Sequence, residues 1–170
     1  MTLVELRYGT KEVDLDGDGR KDLIVRAHRA NFNAHSFDTT TIYIWTAPEG
    51  SDDRAKSELQ IVPYQVKTDQ ELILRTGGGA DGLLEDFRLL LDATHHSAVL
   101  ITAKRDFGKS FADSQPVHFQ FYRLSFNPDG APGTPAVFFK AEQQVTSRKT
   151  YVDVGEAFLE ELKLGPGVRQ

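Results

Sequence analysis

Residues 14–22 read Asp-Leu-Asp-Gly-Asp-Gly-Arg-Lys-Asp. Carboxylates alternate at the first, third and fifth positions, and a glycine at the sixth permits the sharp turn back toward an ion. The seventh position offers the Arg20 carbonyl and the ninth offers Asp22. Four aspartates this close repel one another unless a cation lies between them, and hard oxygen ligands favour Ca2+ over softer metals. The expected metal set is therefore Asp14, Asp16, Asp18, Arg20 through its carbonyl, and Asp22, with Ca2+ as the ion. An aspartate-rich turn without metal is the plainer alternative. The loop departs from an EF-hand, because the twelfth position is Val25 instead of a bidentate glutamate. The residues after it, Asp22-Leu23-Ile24-Val25-Arg26-Ala27, have strand character. A strand-flanked loop of this kind is expected to staple the fold and to do no chemistry itself.

Other chemistry finds less support. The S-x-x-K and G-x-S-x-G nucleophile motifs do not occur, nor does H-E-x-x-H. Of the five histidines, His95 and His96 are adjacent and fit a turn before Ala98. Gly77-Gly78-Gly79-Ala80-Asp81-Gly82 could cradle an anion through its backbone, but it lacks the Lys and Ser/Thr of a phosphate loop and reads as a turn. The segment from His28 to Asp38, H-R-A-N-F-N-A-H-S-F-D, crowds polar and aromatic groups into a connection between two strands, a setting that suits ligand recognition. Candidate ligand-binding residues are Asn33, His35, Arg26 and Asp38. Alternation along a strand places Arg26 and His28 on one face and Arg29 on the other. The plainer reading has Asn and Asp satisfying turn backbone while Phe32 and Phe37 plug the core.

The elements that must position these residues are mostly strands. Short β-branched and aromatic runs alternate with turn clusters, which predicts strands over 3–8, 23–29, 39–45, 59–66, 71–76, 98–103, 117–126 and 136–145. The last two form a hairpin across Asn127-Pro128-Asp129-Gly130. Residues 47–57, with Pro48, Gly50, Asp52 and Asp53, read as a polar loop, and 83–92 fits either helix or strand. Asp153, three residues before Glu156, opens a C-terminal helix with Ala157, Phe158, Leu159 and Leu162 on its apolar face, ended by Gly165-Pro166-Gly167. The expected fold is mainly β, with antiparallel sheets in a β-sandwich-like arrangement, a C-terminal helix, and one domain over 1–170.

Composition narrows the class. The chain has 170 residues, 26% charged and 39% hydrophobic, with net charge −5 and no cysteine. That excludes disulfides and thiolate metal sites. Lysines and arginines are scattered, which argues against nucleic acid, and no apolar run approaches a membrane span. There is no internal repeat, which excludes a propeller of calcium modules. The first residues, Met1-Thr2-Leu3-Val4-Glu5-Leu6-Arg7, lack the basic start and apolar core of a signal peptide. Calcium loops load best where calcium is plentiful, so the expectation is an exported protein numbered from its mature start behind an added Met.

The stretch from Val13 to Ile44, V-D-L-D-G-D-G-R-K-D-L-I-V-R-A-H-R-A-N-F-N-A-H-S-F-D-T-T-T-I-Y-I, resembles the carbapenem intrinsic-resistance, or self-resistance, proteins of carbapenem-producing bacteria and their homologues. The resemblance rests on the join of calcium-type loop, strand and N-F-N-A-H-S-F-D loop. It implies a periplasmic protein that protects its cell from a carbapenem β-lactam without hydrolysing it, and it implies no catalytic residues. Partners are then the β-lactam itself or a cell-wall or periplasmic protein, with a homodimer open. A calcium-stapled β-rich adhesion module with no antibiotic role is the alternative, and a hydrolase built on His35 and Asp38 is a third reading.

Overall fold

The computed structural model describes residues 1–48, 54–67 and 69–167. Its strands are β1 (Thr2–Leu3), β2 (Gly9–Val13), β3 (Asp22–Arg29), β4 (Phe37–Thr46), β5 (Glu58–Ile61), β6 (Tyr64–Val66), β7 (Asp69–Glu71), β8 (Leu74–Gly78), β9 (Leu83–Asp92), β10 (Ser97–Arg105), β11 (Gln115–Phe126) and β12 (Val137–Tyr151), followed by helix α1 (Val154–Leu162). They form one sheet in the order β2-β3-β4-β8-β9-β10-β11-β12-β6-β7, with β1 beside β9 and β5 beside β4. β12 and β6 run parallel, and the other pairs run antiparallel.

The fold is mainly β with a C-terminal helix, as expected, but the strands share one sheet instead of forming two stacked ones. β7 and β8 stand six steps apart in the sheet, yet only Leu72 and Ile73 join them. Such a link spans at most ~11 Å, so the sheet must curl back on itself. The interior of the curl holds Ile24, Ile42, Leu74, Leu89, Leu100, Leu124, Phe139 and Tyr64, drawn from strands across the whole sheet. A second apolar cluster lies on the other face of β9, β10 and β11. There Val99, Ile101, Val117 and Phe119 meet Val154, Ala157 and Phe158 of α1.

This two-sided burial explains why 83–92 was ambiguous. β9 sends Phe87 and Leu89 inward and Leu90 toward the helix side, so no single apolar period survives. Other boundaries move. The alternation expected over 3–8 is real, since Val4 and Leu6 are buried, but only Thr2–Leu3 forms a strand there. The strand preceding the aspartate loop is β2, whose polar sequence Gly-Thr-Lys-Glu-Val hid it. Residues 59–66 divide at Val62 and Pro63 into β5 and β6, because proline cannot donate to a ladder. The β11–β12 hairpin forms as expected, with Phe126 opposite Val137. Gly50, Asp52 and Asp53 of the expected polar loop lie outside the described residues.

Asp153 caps α1 by accepting the Gly155 N–H at 2.6 Å, and its other oxygen accepts the Leu83 N–H at 2.8 Å, tying the helix start to β9. The helix ends earlier than the glycine-proline signal suggests. Lys163 takes the left-handed conformation (φ 58°), and the Leu164 N–H returns to the Phe158 carbonyl. Leu159, expected on the apolar face, is exposed.

Candidate functional site

β2 and β3 pair up to Val13 opposite Asp22, so the aspartate run is the loop of a hairpin. Gly17 and Gly19 have φ of 77° and 88°, the left-handed backbone that turns the chain around a central point. Carboxylate oxygens of Asp14, Asp16 and Asp18 lie within 4.8 Å of one another. The loop's own backbone helps to aim them. Asp14 accepts the N–H groups of Gly17 (2.7 Å) and Gly19 (2.9 Å), Asp16 accepts that of Asp18, and Asp18 accepts that of Arg20.

The electrostatics of the loop suit a cation. Burial, together with the negative charges of Asp22, Asp18 and Asp14, pushes the Asp16 carboxyl up to about 6, against the pull of the Asp18 N–H. Three hard oxygen donors from three side chains fit a hard divalent ion such as Ca2+.

The two other expected ligands behave differently. Asp22 is buried, and its oxygens accept the N–H groups of Leu15 (2.9 Å) and Trp45 (3.2 Å), so it braces the loop against β4. The Arg20 guanidinium lies 3.8 Å from the centre of the Trp45 ring. The loop also borders a cleft of about 1020 Å³, with Arg20 and Trp45 on one side and Phe126, Asn127 and Asp129 of the β11–β12 turn on another. At its far side, a Cβ on Gly17 would come within 2.5 Å of His96 Cβ, so the loop packs against the 93–96 turn.

The four candidate ligand residues separate into two pairs. Arg26 is buried and its Nη2 donates to Asp38 at 2.6 Å. The same carboxylate faces His28 Nδ1 at 2.7 Å and accepts the Tyr8 hydroxyl at 3.0 Å. A carboxylate only accepts, so His28 Nδ1 carries the proton. Burial alone would raise the Asp38 carboxyl, but the hydrogen bonds from His28, Arg26 and Tyr8 outweigh it and hold the group below its usual range. Arg26 and His28 do share a face. Arg29 lies apart, 5.4 Å from the Phe37 ring centre.

Asn33 and His35 form the second pair. Asn33 Oδ1 accepts the His35 N–H (2.9 Å), Asn31 Nδ2 donates to the His35 carbonyl, and Ser36 closes the turn on Asn33. His35 stacks on Phe111 with ring centres 5.0 Å apart. The expectation that Phe32 and Phe37 plug the core does not hold. Phe32 is 99% exposed with φ 55°, and Phe37 is half-buried with Arg75 4.0 Å from its ring centre.

Sequence reasoning missed Tyr8 and Trp45. Tyr8 sits directly before β2, outside the loop motif, and nothing local marks it. Trp45 follows the alternation of β4, which could have placed it near Asp22. A further cluster gathers at the 93–96 turn, where the His95 imidazole, with backbone N–H groups, holds Asp92 down to about 2 and Arg123 approaches at 3.4 Å.

The family model described as "Carbapenem resistance protein CarG-like" matches residues 6–160. A solved structure titled "Crystal structure of CarG" is similar, with TM-score 0.74 and 26% identity over 94% of this chain and 95% of that one. No curated protein matches in sequence.

Proposed function

Because the chain belongs to the CarG-like carbapenem resistance family, we propose that it protects its cell from carbapenems by binding or shielding, without hydrolysis, in the periplasm. The match over residues 6–160 carries this reading. It is supported by the way the histidine–carboxylate pairs are employed. Asp38 is shared among Arg26, His28 and Tyr8, and Asp92 among His95, Arg123 and two backbone N–H groups. These pairs lock strands and turns together.

In the same reading the 14–22 loop holds Ca2+ as a staple. Asp14, Asp16 and Asp18 would ligate it, with the Arg20 carbonyl and Asp22 nearby. The ion supplies positive charge that lets the three carboxylates share one site. Asp22 then ties that site to β4 through the Trp45 N–H.

The test is to export the protein to the periplasm of a carbapenem-susceptible bacterium and measure the inhibitory concentration while assaying the drug. A raised inhibitory concentration with intact drug is expected. No change, with folded protein present, overturns the protective role.

Shielding through a protein partner is a second reading, favoured by Phe32. A fully exposed phenylalanine in the left-handed region costs about 1–2 kcal/mol of backbone strain, and the Asn31–Ser36 hydrogen bonds hold it there. In that case Phe32→Asn abolishes protection while leaving drug binding by the purified protein unchanged.

A further inference from the structure

The curled sheet closes where β7 meets β8, and that seam is not filled. A cavity of about 360 Å³ lies there, lined from one side by Tyr64, Val66 and Glu71 and from the other by Leu74, with β9, β10 and β11 behind. Its size lies within the range of small-molecule sites, and the mouth of a curled sheet is a common place for one.

The side chains inside are unlike core. Along β10, Ala98 and Leu100 fill the interior, and the next two inward positions are Thr102 and Lys104. Thr102 is half-buried and hydrogen-bonded to Tyr122, and Lys104 stands exposed at the rim of the cavity. Phe87 and Tyr122 supply apolar surface beside them, and Tyr64 stands edge-on to Tyr122 with ring centres 5.7 Å apart. The Tyr64 hydroxyl donates to Glu71 at 2.5 Å, which fixes that ring. Burial raises both tyrosine hydroxyls above their ordinary range, so both stay protonated.

The lining acids already have partners. Glu71 has Tyr64, Glu85 has Arg75 at 3.2 Å, and Asp86 has Arg88 and Thr76. Lys104, across the ladder from Glu85, is the lining cation with no ion pair among the described residues.

We propose that this cavity binds a compact carboxylate-bearing molecule, with Lys104 receiving the carboxylate and Phe87 and Tyr122 contacting its ring. Resting on the protective-binding reading above, that molecule is the carbapenem, a small bicycle bearing one carboxylate. A charge-assisted hydrogen bond to the ammonium orients the ligand, and the aromatic floor removes its apolar face from water.

The experiment is calorimetric titration of the purified protein with meropenem, using the wild type, Lys104→Glu, Val66→Trp and, as a control on an exposed strand, Lys140→Glu. Lys104 is exposed, so its charge reversal leaves the core intact, and melting curves check every variant. Binding at least tenfold weaker in Lys104→Glu and lost in Val66→Trp, with Lys140→Glu unaffected, is expected. Equal binding by folded Lys104→Glu and Val66→Trp overturns the site while leaving drug binding standing. Protection in cells by a wild type that binds no meropenem overturns the site as well, and leaves shielding through a partner.

Discussion

Asp16 and Asp38 are both half-buried carboxylates beside β3, and their surroundings push them in opposite directions. Asp38 gathers Arg26, His28 and Tyr8, and falls below the usual carboxylate range. Asp16 gathers Asp14, Asp18 and Asp22, and rises to about 6. One cluster contains its own counter-charges. The other concentrates like charge at a tight turn, which an external cation would relieve. The two ends of β3 thus show a charge cluster that is part of the fold and one suited to completion by an ion.

The contrast breaks most visibly at Asp38. Asp38→Ala leaves the Arg26 charge buried without its partner, and such a loss costs about 3–5 kcal/mol. Urea denaturation should show that loss equally with calcium and with chelator. A loss below about 1 kcal/mol means the cluster is not holding β3 to β4.

At the loop, calcium at a hundredfold excess over its Kd should stabilise the wild type by about 2.7 kcal/mol. Asp14→Ala/Asp16→Ala should show none of that gain. Equal melting with calcium and chelator in the wild type would end the calcium assignment.

Gly17→Ala sharpens the comparison on the packing side. It places a Cβ 2.5 Å from His96 Cβ at a left-handed position, so about 1–2 kcal/mol should be lost even in chelator. Unchanged stability would show that the loop does not rest on the 93–96 turn.

Acid separates the clusters by sign. Asp38, depressed in the fold, contributes stability that is fully present above its unfolded value of about 3.9 and is lost as pH falls through its lower folded value. Asp16, raised in the fold, contributes stability present below about 3.9 and lost as pH rises through about 6. Chelated protein should therefore gain slightly on acidification from pH 7 toward 5, and calcium should abolish the gain. A chelated protein that only loses stability over that range contradicts the assignment to Asp16.

What the sequence displayed and what it hid follow from the range of the interactions. The aspartate spacing, the β4 and β11 alternation and the Asp153 cap are local, and all were legible. The curl was not, because the short β7–β8 link closes it only once β12 pairs with β6, a contact far apart in sequence. The same distance concealed the grouping of Tyr8 with Asp38 and of Lys104 with Tyr64 in one seam. Arg26 and Asp38 stood out by residue type, but their pairing did not, because charge in a sequence does not say whether a partner lies across the ladder. Phe32 looked like core because hydrophobicity does not report the left-handed backbone that turns it outward.

The most direct test of protection without hydrolysis uses purified protein and a carbapenem under equilibrium dialysis, with the ultraviolet absorbance of the intact bicycle followed over time. Drug retained on the protein side with constant absorbance is the expected result. Absorbance that decays in proportion to protein concentration contradicts it and makes the protein a hydrolase.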